Sequence, residues 1–492
     1  MTGFRKMLNN SSLFRTVYII DLFFCMISFV QVLAYVLLVP LFCWGMRLVY
    51  VNQKRYATFT RLRFGIWIMA FLIFSLFSTL INVSVTLFYS CLMFLHVLLC
   101  FVVFYGMHTE PDLDFRRELD MIAKILIVLN TLFNFVGFFC LLFGIHFSYD
   151  FNDLYFVRFP VYENRFTGVF FNPNWLGFSA VVAVVCCHFL SKPSMENVRP
   201  RRIIGRGFLV TCAIINLFAL ILCDSNAAFV LMLGYVAVYV TYIFFETRTG
   251  LTPSKVILRI LSLVLVIAVF IGASMIFRTV FKAGFAAVTS KTNALVDVLF
   301  DDEKIIKEIA DGDTQAEESE QAVTFNHENK NIDSGRFKLW KESIDLFKIS
   351  PIIGIANGNI IVYSEEYLNG AVTFSYHNSD LHNGFLTILV STGVIGALLF
   401  GTFGFRFAKH AAQHLFLRRK TVRDEVYPCL FAFLSAYLAY AFFEKALLYD
   451  ISFLVMWFWL MMGYTGCYVA KYEHLIETRY LFHQQRIRRT LL

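Results

Sequence analysis

Charge is what this sequence has least of. Only 16% of its 492 residues are Asp, Glu, Lys or Arg, against about 25% in an ordinary soluble domain. That scarcity argues against an ordinary soluble globular protein and points to lipid. Metal-type clusters of Cys and His are missing too, and no Cys-x-x-Cys occurs. The eleven cysteines all lie in apolar stretches or at their ends, where they read as small hydrophobes in lipid-embedded helices. No small-residue cleavage site follows the first apolar stretch after Arg5 and Lys6, so that stretch reads as a retained anchor. No internal repeat and no inverted symmetry of the transporter kind stands out.

Apolar residues are present in excess: 58% of the chain is hydrophobic and 57 residues are Phe. A bilayer core needs about 20 apolar residues to cross, and runs of that kind recur. Candidate helices fall near 14–31, 33–50, 64–82, 84–107, 121–145, 172–191, 207–223, 226–245, 257–279, 382–405, 426–444 and 450–470. The fold expected is all-α, a polytopic bundle of about 12 spans with one large non-cytoplasmic loop containing amphipathic helices. The organisation expected is a cytoplasmic N-terminus (1–13), nine spans (14–279), the loop (280–381), three spans (382–470) and a basic tail (471–492). With both termini placed in the cytoplasm, 30 of the 43 Lys and Arg fall on that side. That is the bias of a multi-pass protein of the inner, cytoplasmic membrane.

The loop differs in kind. It carries 17 Asp and Glu against 9 Lys and Arg, whereas the rest of the chain is net positive. Its first half is acidic and polar, consistent with partial helix or disorder. Its second half spaces Phe337, Leu339, Trp340, Ile344 and Phe347 as an amphipathic helix, ended by Ser350-Pro351 and a Gly/Asn-rich turn.

Three places on the loop's side of the membrane gather chemistry. In Arg165-Phe-Thr-Gly168-Val-Phe-Phe-Asn172-Pro-Asn174, Asn172 is placed to cap a helix with Pro173 at its first position. The helix start and Arg165 would suit a phosphate; the competing reading is a plain helix cap with Arg165 reaching to headgroups. Arg336 and Trp340 share a helical face with Lys341 beside them, a second phosphate or sugar contact or else interfacial anchors. His382-Asn383 opens a span in which Leu386, Leu389, Gly393 and Gly396 fall on one helical face, the glycines admitting a neighbouring helix. A histidine there serves as a general base or as an interfacial hydrogen-bonder. His377 is a weaker competitor for that role.

Taken in order, RFTGVFFNPNWLG, SGRFKLWKESIDLFKISPIIGIANGN and HNGFLTILVSTGVIG resemble the O-antigen ligases and related O-antigen polymerases over residues 165 to 405. The resemblance implies a membrane glycosyltransferase needing no metal and no cofactor. Its partners would be a lipid-linked oligosaccharide donor on undecaprenyl diphosphate, a glycan or lipid-core acceptor, and membrane lipids, with no nucleic acid. In ligases the acceptor is a lipid A core; in polymerases it is another lipid-linked repeat unit. Carried onto this chain, His382 would activate the acceptor hydroxyl, and Arg165 and Arg336 would bind the departing diphosphate. Gly168, Asn172, Asn174, Asn226, Trp340, Lys341 and Asn383 would line the substrate site. One departure matters: where the family often has Ser-Arg-Gly, this chain reads Ser225-Asn226-Ala227, so an arginine is missing.

Two rivals belong to other classes. A transporter or flippase for lipid-linked sugars would line a mid-membrane path with ionisable groups, for which Asp21 and the Glu444-Lys445 pair are the candidates. A scaffold would bind partners through its acidic loop.

Overall fold

The computed structural model describes residues 2–84, 86–152, 155–192, 205–246, 253–300, 325, 336–368, 381–417 and 426–472. The helices are α1 (Thr2–Leu8), α2 (Ser11–Phe24), α3 (Gln31–Tyr56), α4 (Thr58–Arg61), α5 (Gly65–Ile81) and α6 (Leu87–Leu99), which runs on through a π-helical turn to Thr109. Next come α7 (Phe115–Leu142), α8 (Pro173–Ser191), α9 (Arg206–Leu222), α10 (Asn226–Glu246), α11 (Pro253–Phe300), α12 (Arg336–Ile349) and α13 (Ile360–Leu368). The last are α14 (Gly384–Leu417), α15 (Val426–Tyr440) and α16 (Phe453–Tyr472). Eight of these are long and apolar enough to cross a bilayer, and α5, α9 and α15 are shorter apolar helices. The all-helical bundle expected from composition is therefore what forms. Two short hairpins, β1 (Phe147–Asn152) with β2 (Tyr155–Phe159) and β3 (Val161–Tyr162) with β4 (Arg165–Phe166), make up its small sheets.

Burial sorts the helices into layers. α16 is almost wholly buried, and Gly463 lets its backbone meet that of the π turn: a Cβ there would stand 2.2 Å from the Phe104 carbonyl oxygen. α11 lies at the edge and presents nearly all its side chains outward. α7 buries a stripe through Leu119, Ile122, Leu126, Asn130, Asn134 and Leu141 at helical spacing. Asn134 donates to Asn216 of α9 at 2.9 Å, and Asn216 returns a bond to Thr131 at 3.0 Å. Such pairs hold helices together where lipid offers no hydrophobic drive.

One end of the bundle is fastened by a buried ion cluster. Arg15, fully buried, donates to both oxygens of Glu118 (2.8 and 2.9 Å), to Glu110 (2.7 Å) and to the Val103 carbonyl (3.0 Å), while Tyr464 donates to Glu118 at 2.9 Å. Arg15→Ala would strand two carboxylates, so we expect a loss of about 3–5 kcal/mol of stability, read as a fall in unfolding temperature in detergent. An unchanged temperature would show the cluster to be dispensable.

Two expectations are corrected. α11 does not stop near 279 but runs to Phe300. α14 is not one continuous helix: at Gly393 (φ +62°, ψ −171°) it breaks. Into the break fits the segment after α12. Ile355 and Ala356 donate to the carbonyls of Val390 and Ser391 (3.0 Å each), and Val394 donates to Pro351 (2.8 Å). The face expected to run from His382 to Gly396 is thus interrupted. Gly393 meets the backbone of Ile352, and only Gly396 faces another helix, at Phe74 of α5. Irregular backbone is stable at such a place because its polar groups are satisfied within the protein. Residues 301–324, the acidic half of the loop, and His377 lie outside the described residues.

Candidate functional site

β3 and β4 are joined by Glu163-Asn164, both in the left-handed region (φ +49° and +56°), the tight turn that suits hairpin twist. This turn delivers Arg165 to the start of α8, where it is buried. Its Nε donates to the Cys223 carbonyl and its Nη2 to Asn174 Oδ1, both at 2.8 Å. Asn172 caps α8, accepting from the Asn174 amide at 2.7 Å. Gly168 turns the chain (φ +54°) against α7 so closely that a Cβ on Gly137 would stand 2.8 Å from its Cα. That fit gives Gly168 a packing role. Burial, together with the positive charge of Arg278, lowers the pKa of Arg165 from its ordinary value, partly offset by Cys223, Asp224 and Glu163.

The other two stretches meet on a residue that spacing alone did not connect to them. Arg336, the first residue of α12, donates through Nη2 to Glu444 Oε1 at 2.9 Å. His382 Nδ1 lies 3.5 Å from Glu444 Oε2. One carboxylate, mostly buried between α15 and α16, thus joins an arginine 108 residues away to a histidine 62 residues away. It is brought there because the 441–449 segment folds onto the start of α14: the Gly384 amide donates to the Ala441 carbonyl at 2.8 Å, and Phe385 packs on Phe442 at 4.5 Å. His382 itself is held at φ +43°, a conformation uncommon outside glycine and concentrated at functional positions.

Around this trio two buried donors, Arg336 Nε and Trp340 Nε1, have no partner among the described residues. Buried orphan donors are costly, and two beside a histidine and a guanidinium are what an incoming oxygen-rich ligand would satisfy. Trp340 also packs on Phe443 at 6.1 Å. Lys341 points to the exposed side of α12, away from this group. Asn383 is engaged as a helix cap, accepting from the amides of Phe385 and Leu386 at 3.0 Å each.

Arg165 does not touch the Glu444 trio; its neighbours are at the junction of α9 and α10. The two groups are linked through one ring contact. Phe178, one turn into α8, stacks on Tyr440 at 5.4 Å, and Tyr440 precedes Glu444 by one turn. Asn226, exposed at the start of α10, accepts from Arg278 Nη2 at 3.1 Å.

Residues 211–401 match the family model described as O-antigen ligase. That stretch belongs to the O-antigen ligase family. No curated protein matches the chain. The O-antigen ligase stretch contains Asn226, Arg278, Arg336, Trp340, His382 and Asn383, while Arg165, Asn172, Asn174 and Glu444 lie outside it. The match sits within a chain that has eight helices long and apolar enough to cross a membrane among its described residues, as an integral membrane protein would. Sequence reasoning missed Arg278 altogether. It noted Glu444 only as an ionisable residue near a span end, and that rarity was the available signal.

Proposed function

We propose that the protein transfers a glycan from a polyprenyl-diphosphate carrier to an acceptor hydroxyl at the outer face of the inner membrane, with both termini in the cytoplasm. The observation that carries this reading is the convergence of His382 and Arg336 on Glu444. A proton on His382 Nδ1, facing Glu444, leaves Nε2 as the basic nitrogen. Nε2 takes the acceptor hydroxyl proton as the oxygen bonds to the anomeric carbon. The bond from that carbon to the diphosphate oxygen breaks, and the electron pair leaves on the diphosphate. Arg336 and Arg165 supply the positive charge that stabilises it, in the place a metal ion would otherwise fill.

In this scheme Arg336 exchanges its resting partner Glu444 for phosphate oxygens, and its Nε, without a partner among the described residues, provides a further donor. Arg336→Lys keeps the charge but loses the fork, so transfer should fall by about ten- to a hundredfold. A transfer rate unaltered in that variant, measured at saturating acceptor, would remove Arg336 from the scheme.

Ligase and polymerase differ in acceptor. The full chain, purified and supplied with lipid-linked repeat units, distinguishes them. Extension without any lipid A core marks a polymerase, and transfer only when the core is added marks a ligase. No transfer in either condition, from chain that remains folded, would overturn the proposal. A flippase is less well supported, because Glu444, one of its few candidate groups, is committed to Arg336 and His382.

A further inference from the structure

The end of the bundle away from Arg165 holds a charged recess. α8 marks the separation. Asn172 and Arg165 stand at its start, whereas the carbonyls of Phe189 and Lys192 at its finish lie 3.5 Å from Arg116 Nη2 of α7. Nineteen residues of α8, rising about 1.5 Å each, put roughly 28 Å between the two ends. The recess adjoins the start of α7, at the end that the Lys and Arg bias assigns to the cytoplasm.

Its volume is about 710 Å³, the size of a small-ligand site. Four segments wall it: α1, the start of α2, the last turn of α3 and the connection from α6 to α7. Bonds between these segments hold them in place. The Leu8 carbonyl accepts from Trp44 Nε1 (2.9 Å) and Arg47 Nη1 (2.7 Å) of α3, and Ser11 Oγ donates to Asn52 Oδ1 at 3.1 Å. Three exposed cations, Arg5, Lys6 and Arg55, line the space, and none has an ion-pair partner among the described residues. Of the two carboxylates beside them, Glu110 is paired with Arg15, which leaves Asp112. Asn9 Oδ1 is buried in the same wall with no partner among the described residues.

These features match parts of one ligand. Unpaired cations around a concave site call for an anion, and guanidinium forks favour phosphate oxygens. An orphaned amide oxygen and a carboxylate call for donors, which hydroxyl groups supply. We propose that the recess binds a phosphate ester carrying hydroxyl groups, its phosphate on Arg5, Lys6 and Arg55 and its hydroxyls on Asn9 and Asp112. The transfer reading above plays no part in this, so either can fail without the other. Two sources offer the chemistry: the headgroup of a glycerophospholipid, and a soluble glycerol or sugar phosphate.

The full chain is purified in neutral detergent, and its thermal unfolding is followed against rising sn-glycerol 3-phosphate, with inorganic phosphate in parallel. The ester should raise Tm saturably, and inorganic phosphate, lacking the hydroxyls, should bind several-fold more weakly. Arg55→Gln and Lys6→Gln alter exposed side chains, so each should fold normally yet bind the ester about tenfold or more weakly. Arg61→Gln removes an exposed cation of α4 that does not line the recess, and it should bind as wild type does. In nanodiscs of phosphatidylcholine, adding phosphatidylglycerol separates the sources. A further rise in Tm for wild type, smaller in both recess variants, assigns the site to the lipid headgroup; saturation by the soluble ester whatever the lipid assigns it to a soluble ligand. No stabilisation by either probe would overturn the proposal. So would equal stabilisation of wild type and both recess variants, which is the mark of diffuse attraction to charge. Inorganic phosphate binding as tightly as the ester would overturn the ligand class.

Discussion

Replacing His382 with alanine is expected to lower glycan transfer by about a hundred- to ten-thousandfold, the range over which a positioned general base acts. The variant should still insert in the membrane and unfold at close to the wild-type temperature. His382 contributes little packing, its side chain being about a quarter exposed, and alanine meets the same left-handed strain at φ +43°. The Glu444 partner sharpens the test. Glu444→Gln keeps the shape beside Arg336 and His382 but removes the charge that orients the imidazole and stabilises its protonated form. It should therefore fall between wild type and His382→Ala. Full activity in His382→Ala would end the mechanism, whatever Glu444 does.

The second large effect is expected at Gly354. It sits at φ +75° in the segment that fills the break in α14, and a Cβ there would stand 2.4 Å from the Thr392 nitrogen and 2.5 Å from the Gly393 nitrogen. These are main-chain atoms on a rigid element, so no rotamer change relieves the clash. Gly354→Ala should cost on the order of 3 kcal/mol or more, seen as a lower unfolding temperature and faster proteolysis. Activity should fall with it, because the displaced segment directly follows α12, the helix that carries Arg336. A Gly354→Ala chain with wild-type stability would show that the wedge is loose and that α12 is anchored by other contacts.

Much of the bundle was legible because hydropathy reports directly on lipid burial: each predicted apolar run has a helix within a few residues. The far end of α11 was not, since beyond Phe281 its apolar density drops while helical backbone persists, and hydropathy marks apolar runs rather than helix ends. The break in α14 was hidden for another reason. Glycine at helical spacing reads equally as a seam for a neighbouring helix or as a gap for passing backbone, and Pro351–Ala356 is about 40 residues away in sequence. Within the candidate site, Arg165, Arg336 and His382 stood out as charged or titratable groups at span mouths. Their partners did not. Glu444 and Asp224 acquire meaning only through pairings across 50 to 110 residues, which no local period encodes. The cap role of Asn172 was the reverse case, since the nearest amide claims a capping side chain; Asn383, expected to line the substrate site, caps its own helix.

The wedge in α14 has one more implication, for how such a sequence is free to drift. Its ladder is made between main-chain atoms at Val390, Ser391, Pro351, Ile355 and Ala356, and main-chain bonds are indifferent to most side-chain exchanges. Chains that share this frame can therefore lose nearly all identity along the wedge while keeping its shape, provided that glycines remain where the two backbones touch, at 354 and 393. Comparing such chains residue by residue would find little in common there; comparing where their glycines fall would find the joint.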